Sequence, residues 1–120
     1  MTAQDSDNQP MNTATPPNAL CLMADIADPG SKSLIYRGLA VFAVRQGEQV
    51  HIYENRCPHR GIPLEWVADQ FLDHSGRLIQ CASHGALFLP ETGECVAGPC
   101  SGQFLRQLPS TLHNGWVCLE

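Results

Sequence analysis

Two short segments place a thiol beside an imidazole. Cys57-Pro58-His59 reads Cys-x-His and Cys81-Ala82-Ser83-His84 reads Cys-x-x-His; a glycine follows each, Gly61 after one spacer and Gly85 directly. Two cysteines and two histidines so arranged suit a [2Fe-2S] centre in which Cys57 and Cys81 hold one iron while His59 and His84 hold the other. Such a centre carries single electrons. Exchanging two thiolates for neutral imidazoles removes negative charge from the iron and raises the potential, to roughly −150 to +300 mV against about −400 mV for four-cysteine plant-type clusters. Zinc accepts the same donors, but structural zinc arms usually pair like with like, as Cys-x(2–4)-Cys and His-x(3–5)-His. Here each arm mixes the two ligand types, which weighs against zinc. It also weighs against the blandest alternative, four residues that merely lie near one another.

Something must hold these arms together, and the flanking sequence reads as strands. Residues 39–44 and 50–53 are apolar runs on either side of Gln46-Gly47-Glu48-Gln49, a hairpin pattern whose second strand runs straight into Cys57. Residues 19–23 form a candidate first strand. Residues 77–80 feed Cys81, 86–89 leave the second motif, 91–94 read as a turn, and 103–108 and 116–119 as late strands. Asn114-Gly115 is a tight-turn pair before the last of these. Short strands at this spacing argue for an all-β sandwich or small barrel. Between the motifs, Leu64, Val67 and Phe71 have helical spacing over too short a run, so residues 63–74 read as a loop with one helical turn.

The chain has 120 residues, one domain at most, and residues 1–18 contribute almost no large apolar side chain to it. A segment of Asn, Gln, Thr, Pro and Asp cannot bury enough area to offset its ordering entropy. A disordered tail (1–18) ahead of one domain (19–120) is the expectation. Twelve acidic against seven basic residues give a formal charge of −5, which argues against nucleic acid, whose binders need a clustered basic face. No run of 18 apolar residues exists to cross a membrane, and the N-terminus lacks the basic and apolar regions of a secretory signal. The expectation is a cytoplasmic protein whose six cysteines stay mostly reduced.

Over residues 19–120 the chain closely resembles the Rieske ferredoxin family. The resemblance rests on Cys57-Pro58-His59-Arg60-Gly61-Ile62-Pro63-Leu64, then Cys81-Ala82-Ser83-His84-Gly85-Ala86-Leu87-Phe88, then Thr92-Gly93 and Gly98-Pro99. It implies an antiparallel β-sandwich with an inserted cluster-binding subdomain, here about 56–98, and a loop over the cluster at Gly98-Pro99-Cys100. It implies one [2Fe-2S] cluster on Cys57, His59, Cys81 and His84. The segment between the boxes is a few residues longer than in many relatives. High-potential members carry a disulfide between the two ligand loops, at places held here by Ile62 and Ser83. They also present a serine and a tyrosine hydroxyl to cluster sulfur, where this chain has Ala86 and Phe88. A hydrogen bond to a charged group is worth about 1.5–3 kcal/mol, and ~1.4 kcal/mol corresponds to ~59 mV for one electron. Losing two such donors places the chain at the low end of the Rieske range.

The resemblance further implies an electron carrier, not an enzyme, that takes an electron from a reductase and passes it to a terminal oxygenase or similar oxidoreductase. A small or redox-sensing subunit of a larger complex, such as nitrite reductase, is the alternative. At 120 residues the chain is expected to be too short for an oxygenase catalytic subunit, which needs a second, 2-His-1-carboxylate iron domain. Partners are expected to dock near His59, His84, Arg60, Pro58 and Pro99. His51, His74 and His113 have no ligand neighbour at useful spacing and read as strand or surface histidines. Cys21 and Cys118 sit in strand-like runs. Cys95 and Cys100 straddle Gly98-Pro99; a disulfide between them is conceivable, but packing as small apolar residues is the favoured reading in a reducing compartment. Trp66 reads as core packing rather than a docking aromatic or a lid over the long loop.

Overall fold

Val41, Phe42, Ala43 and Val44 are all completely buried. An antiparallel strand with one wet face would alternate, so this strand must be covered on both sides. The computed structural model, which describes residues 15–58, 61–65, 69–82 and 85–120, shows how. Strand β1 spans Ala19–Leu22, β2 Gly30–Tyr36, β3 Leu39–Gln46 and β4 Gln49–Glu54. They are followed by β5 (Ile79–Gln80), β6 (Leu87–Phe88), β7 (Cys95–Ala97), β8 (Gln107–Leu108), β9 (Ser110–His113) and β10 (Trp116–Leu119). Every strand pair is antiparallel. Among the described residues the one helical element is a 3-10 turn, Met23–Asp25, and no helix is long and apolar enough to cross a membrane.

The strands form three sheets, ordered β9-β10-β1, β2-β3-β4-β8 and β5-β6-β7. The four-stranded sheet is the middle layer. Its β3 sends Val41 and Ala43, with Ile52 of β4, into a core shared with Cys21, Ile26, Val117 and Leu119 of the first sheet and its approach. Phe42, Val44 and Tyr53 point the other way, into a second core with Ile79, Phe88 and Cys95 of the third sheet. Phe42 stacks on Phe71 at 4.2 Å between ring centroids and 4° between planes. The fold is therefore all-β, a base sandwich carrying a third small sheet.

That third sheet is an insertion between neighbouring strands. The chain leaves the base at the end of β4 and returns through β8, which pairs with β4 at Ile52↔Leu108 and Tyr53↔Gln107. Tyr53 Oη reaches across and donates a 2.5 Å hydrogen bond to the Pro90 carbonyl beyond β6. Burial pushes the Tyr53 phenol above its usual range, consistent with a hydroxyl that stays a donor.

The expected hairpin is β3–β4 with its turn at Gly47-Glu48, and Asn114-Gly115 joins β9 to β10. Three strands were not foreseen: β2, β7 and β9. The expected strand over 103–108 is reduced to β8 plus an isolated bridge between Glu94 and Phe104. Over 63–74 the described residues contain no helical turn. Leu64 and Phe71 are buried, Leu72 bridges Ile79, and Val67, with Trp66, lies outside the described residues. At the N-terminal edge, Asn18 donates to the Leu119 carbonyl and Ala19 N–H to Pro16.

Candidate metal centre

The two cysteine motifs close in the same way. Cys57 N–H donates to the Ile62 carbonyl (2.7 Å), and Gly61 N–H donates back to the Cys57 carbonyl (2.6 Å). Cys81 N–H donates to the Ala86 carbonyl (2.9 Å), and Gly85 N–H donates to the Cys81 carbonyl (2.8 Å). Counted from cysteine rather than histidine, the glycine holds the same place in both loops, and both glycines are left-handed, with φ of 71° and 69°. Only glycine takes that backbone at little cost, which explains why each box is glycine-punctuated. A further bond, from Ala82 N–H to the Leu64 carbonyl (2.8 Å), ties one loop to the other.

Both cysteines are fully buried and belong to one core with Leu64, Phe71, Ile79, Ala86, Phe88, Cys95 and Cys100. A thiol pair held dry on two matched loops, with backbone N–H groups committed to loop closure, suits a soft cation held by thiolate sulfur. Cys57 and Cys81 supply half of the expected ligand set. His59 and His84 fall in sequence inside the two loops and lie outside the described residues, as do Arg60 and Ser83.

A third loop closes over the first two. Gly98, φ 96°, lies so close to the second loop that a Cβ there would stand 2.8 Å from Ala86 Cα. Cys100 is buried beside Cys57. Its thiol donates to Cys95 Sγ at 3.0 Å, and Cys95 Sγ in turn donates to the Ala97 carbonyl at 3.2 Å. Burial above all, then the Cys95 hydrogen bond and the charges of Cys95 and Cys57, push the Cys100 thiol up to about 12. None of the six cysteines is in a disulfide, so Cys95 and Cys100 stand as packed thiols. Pro99, expected at the docking face, is exposed, and Pro58 is half-buried.

Sequence reading missed two residues that frame the site. Asn55 Oδ1 accepts from Leu64 N–H (2.9 Å) and its amide donates to Glu65 (2.9 Å), so one side chain pins the exit of the first loop to its entry. The signal was available, since Asn before a loop is a residue type that bonds nearby backbone. Arg56 lays its guanidinium over Gly61, where a Cβ would meet Nε and Nη2 at 3.1 Å. It is an exposed cation at the rim of an acidic protein. His51, His74 and His113 play no part in the described site. His74 and His113 are exposed; His51 is half-buried on β4, its Nε2 without a hydrogen-bond partner.

A family model described as the Rieske [2Fe-2S] domain matches residues 17–111. No curated protein matches the chain. Among solved structures, the chain is similar to a ferredoxin of Sphingomonas yanoikuyae B1, with 26% identity and a TM-score of 0.69 over 85% of this chain and 95% of that one. It is similar to the terminal oxygenase of carbazole 1,9a-dioxygenase from Novosphingobium sp. KA1, with 27% identity and a TM-score of 0.72 over 84% of this chain and 28% of that one. It shares its fold, at 22% identity and a TM-score of 0.69, with a chain in a complex of reduced oxygenase and oxidized ferredoxin in carbazole 1,9a-dioxygenase, covering 84% of this chain and 89% of that one.

Proposed function

This chain belongs to the Rieske [2Fe-2S] domain family, and we propose that it is a one-electron carrier, not itself a catalyst, that serves a terminal oxygenase or a similar oxidoreductase. We assign the ligands as Cys57, His59, Cys81 and His84. The observation that carries the reading is the pair of identical loop closures, each opened by a buried cysteine and each containing one histidine in sequence. When bound, a [2Fe-2S] cluster on this donor set accepts and releases one electron. The protein's own part is to keep it dry and fixed. The fully buried Cys57 and Cys81 exclude water from the sulfur side, the bond between Ala82 and Leu64 holds the loops in one relation, and the Gly98–Cys100 segment covers them.

The partner assignment is supported by relatives whose names are ferredoxin and oxygenase. We infer a docking face around His59, His84, Arg60 and the exposed Pro99, with a reductase and the terminal enzyme using it in turn. Ala86 and Phe88 occupy the places where high-potential members carry hydroxyls, so the midpoint belongs at the low end of the Rieske range.

The test is absorption and low-temperature EPR of anaerobically purified protein before and after dithionite. A reddish-brown oxidised form and a rhombic reduced signal of low average g are expected, with a midpoint near or below zero at pH 7. Colourless protein with bound zinc would sink the carrier reading, and a midpoint well above zero would sink the low-potential part.

A further inference from the structure

We propose that Cys95 and Cys100 are a redox modification site, a dithiol that a hydroperoxide closes to a disulfide across the Gly98-Pro99 turn. The two sulfurs already face each other at 3.0 Å. A disulfide needs about 2.05 Å, so roughly one ångström of movement separates the thiol pair from the bond. The backbone around them is a closed frame. Cys95 N–H donates to Gln103 (2.8 Å), Gly102 N–H to Cys95 (3.3 Å) and Gln103 N–H to Cys100 (2.9 Å). This frame, with the pairing of Cys95 against Phe88, holds the two residues opposite one another.

Access favours a small oxidant. Cys95 and Cys100 are 2% and 1% exposed, but Gly98, Pro99, Ser101 and Gly102 above them are exposed, so the cover is a single chain thick. Buried thiols react slowly, so a small hydroperoxide is a better oxidant here than a bulky disulfide reagent. The chemistry balances without another reactant. One sulfur attacks a peroxide oxygen, the O–O bond breaks, and a sulfenic acid forms with water from hydrogen peroxide, or with an alcohol from an organic hydroperoxide. The second thiol then attacks the sulfenic sulfur, the S–O bond breaks, and water leaves. The two thiols lose two electrons and the peroxide gains them.

The consequence for the centre rests on the cluster reading above. Gly98 lies against Ala86 of the second loop and Cys100 beside Cys57 of the first. A Cys95–Cys100 bond therefore fastens the cover over both loops.

The full-length protein, purified anaerobically with its cluster, is treated with hydrogen peroxide, then denatured and alkylated for mass analysis. The expected result is two fewer alkylated cysteines than in the untreated sample, a linked peptide joining Cys95 to Cys100, and retained visible absorption. Cys100→Ser should abolish the link. A treated sample in which Cys95 and Cys100 both remain alkylatable, or in which the new bond includes Cys57 or Cys81, overturns the proposal. Absorption recorded before peroxide is added separates the two readings: protein colourless at that point that still forms the link counts against the cluster alone, and cluster-bearing protein that forms no link counts against this site alone.

Discussion

At the scale of single residues, the centre depends on places where no side chain fits. Gly98 and Gly102 share one loop and both are left-handed, with φ of 96° and 87°. Around Gly102 a Cβ would meet nothing within 4 Å, whereas at Gly98 it would stand 2.8 Å from Ala86 Cα and 3.3 Å from Ala86 N. Backbone does not give way as a flexible side chain does. Gly102→Ala should therefore bear only the left-handed cost, about 1–2 kcal/mol. Gly98→Ala adds overpacking of about 1–3 kcal/mol at the segment that covers Cys57 and Cys81. The expected outcome is faster bleaching of the visible absorption by an iron chelator in Gly98→Ala than in Gly102→Ala, both remaining folded by circular dichroism. Equal rates would show that the contact with Ala86 is not what holds the cover. Of this constellation the sequence showed the two candidate ligand boxes, because Cys-x-His and Cys-x-x-His are local patterns. Asn55, Arg56 and the approach of Cys100 to Cys57 depend on chain segments meeting in space, and local spacing carries no record of that.

Between elements, a buried hydrogen bond helps join the base sheet to the insertion. Tyr53 is fully buried on β4, and its hydroxyl donates to Pro90, whose side chain is also fully buried. Tyr53→Phe keeps the ring and leaves that carbonyl without its donor, at a cost of about 1–3 kcal/mol. A lower thermal midpoint with an unchanged cluster spectrum is the expected result; an unchanged midpoint would mean that this hydrogen bond does not help seat the insertion. Legibility differed from strand to strand for physical reasons. The β3–β4 hairpin was plain because a middle-layer strand is apolar on both faces and its turn is short. Strand β2, Gly30–Tyr36, carries Ser31, Lys32 and Ser33 at a sheet edge, so no apolar alternation marks it. Its edge is instead engaged by Asp69, whose carboxylate accepts from Ser33 N–H (2.7 Å) and Ser33 Oγ (2.9 Å), bonds that hold the Asp69 carboxyl below the usual carboxylate range. The spacing of Leu64, Val67 and Phe71 suggests one helical turn; residues 66–68 lie outside the described residues, while Leu64 and Phe71 are both buried in one core.

For the molecule as a whole, long-range charge and local contact make opposite demands at the proposed docking face, and salt separates them. The chain carries −5, and a reduced cluster adds about one more negative charge, since two ferric ions, two sulfides and two thiolates sum to zero before the electron arrives. Such a carrier is drawn towards a basic partner surface. Arg56 at the rim of the first loop, and Arg60 within that loop in sequence, are cations on an otherwise acidic body, which suits a contact role rather than a steering one. Arg60→Glu adds two negative charges to the formal total. At low salt this strengthens attraction to a basic partner and offsets the lost contact. Near 0.5 M salt the Debye length falls to a few ångströms, steering disappears, and the contact loss stands alone. The second-order rate of electron transfer should then fall about threefold, the order expected for one exposed ion pair of ~0.2–1 kcal/mol, while the absorption and EPR spectra stay unchanged. The opposite pattern, faster transfer at low salt and no difference from the parent protein at high salt, would show that Arg60 acts only through the field of the whole molecule and makes no contact at the docking face.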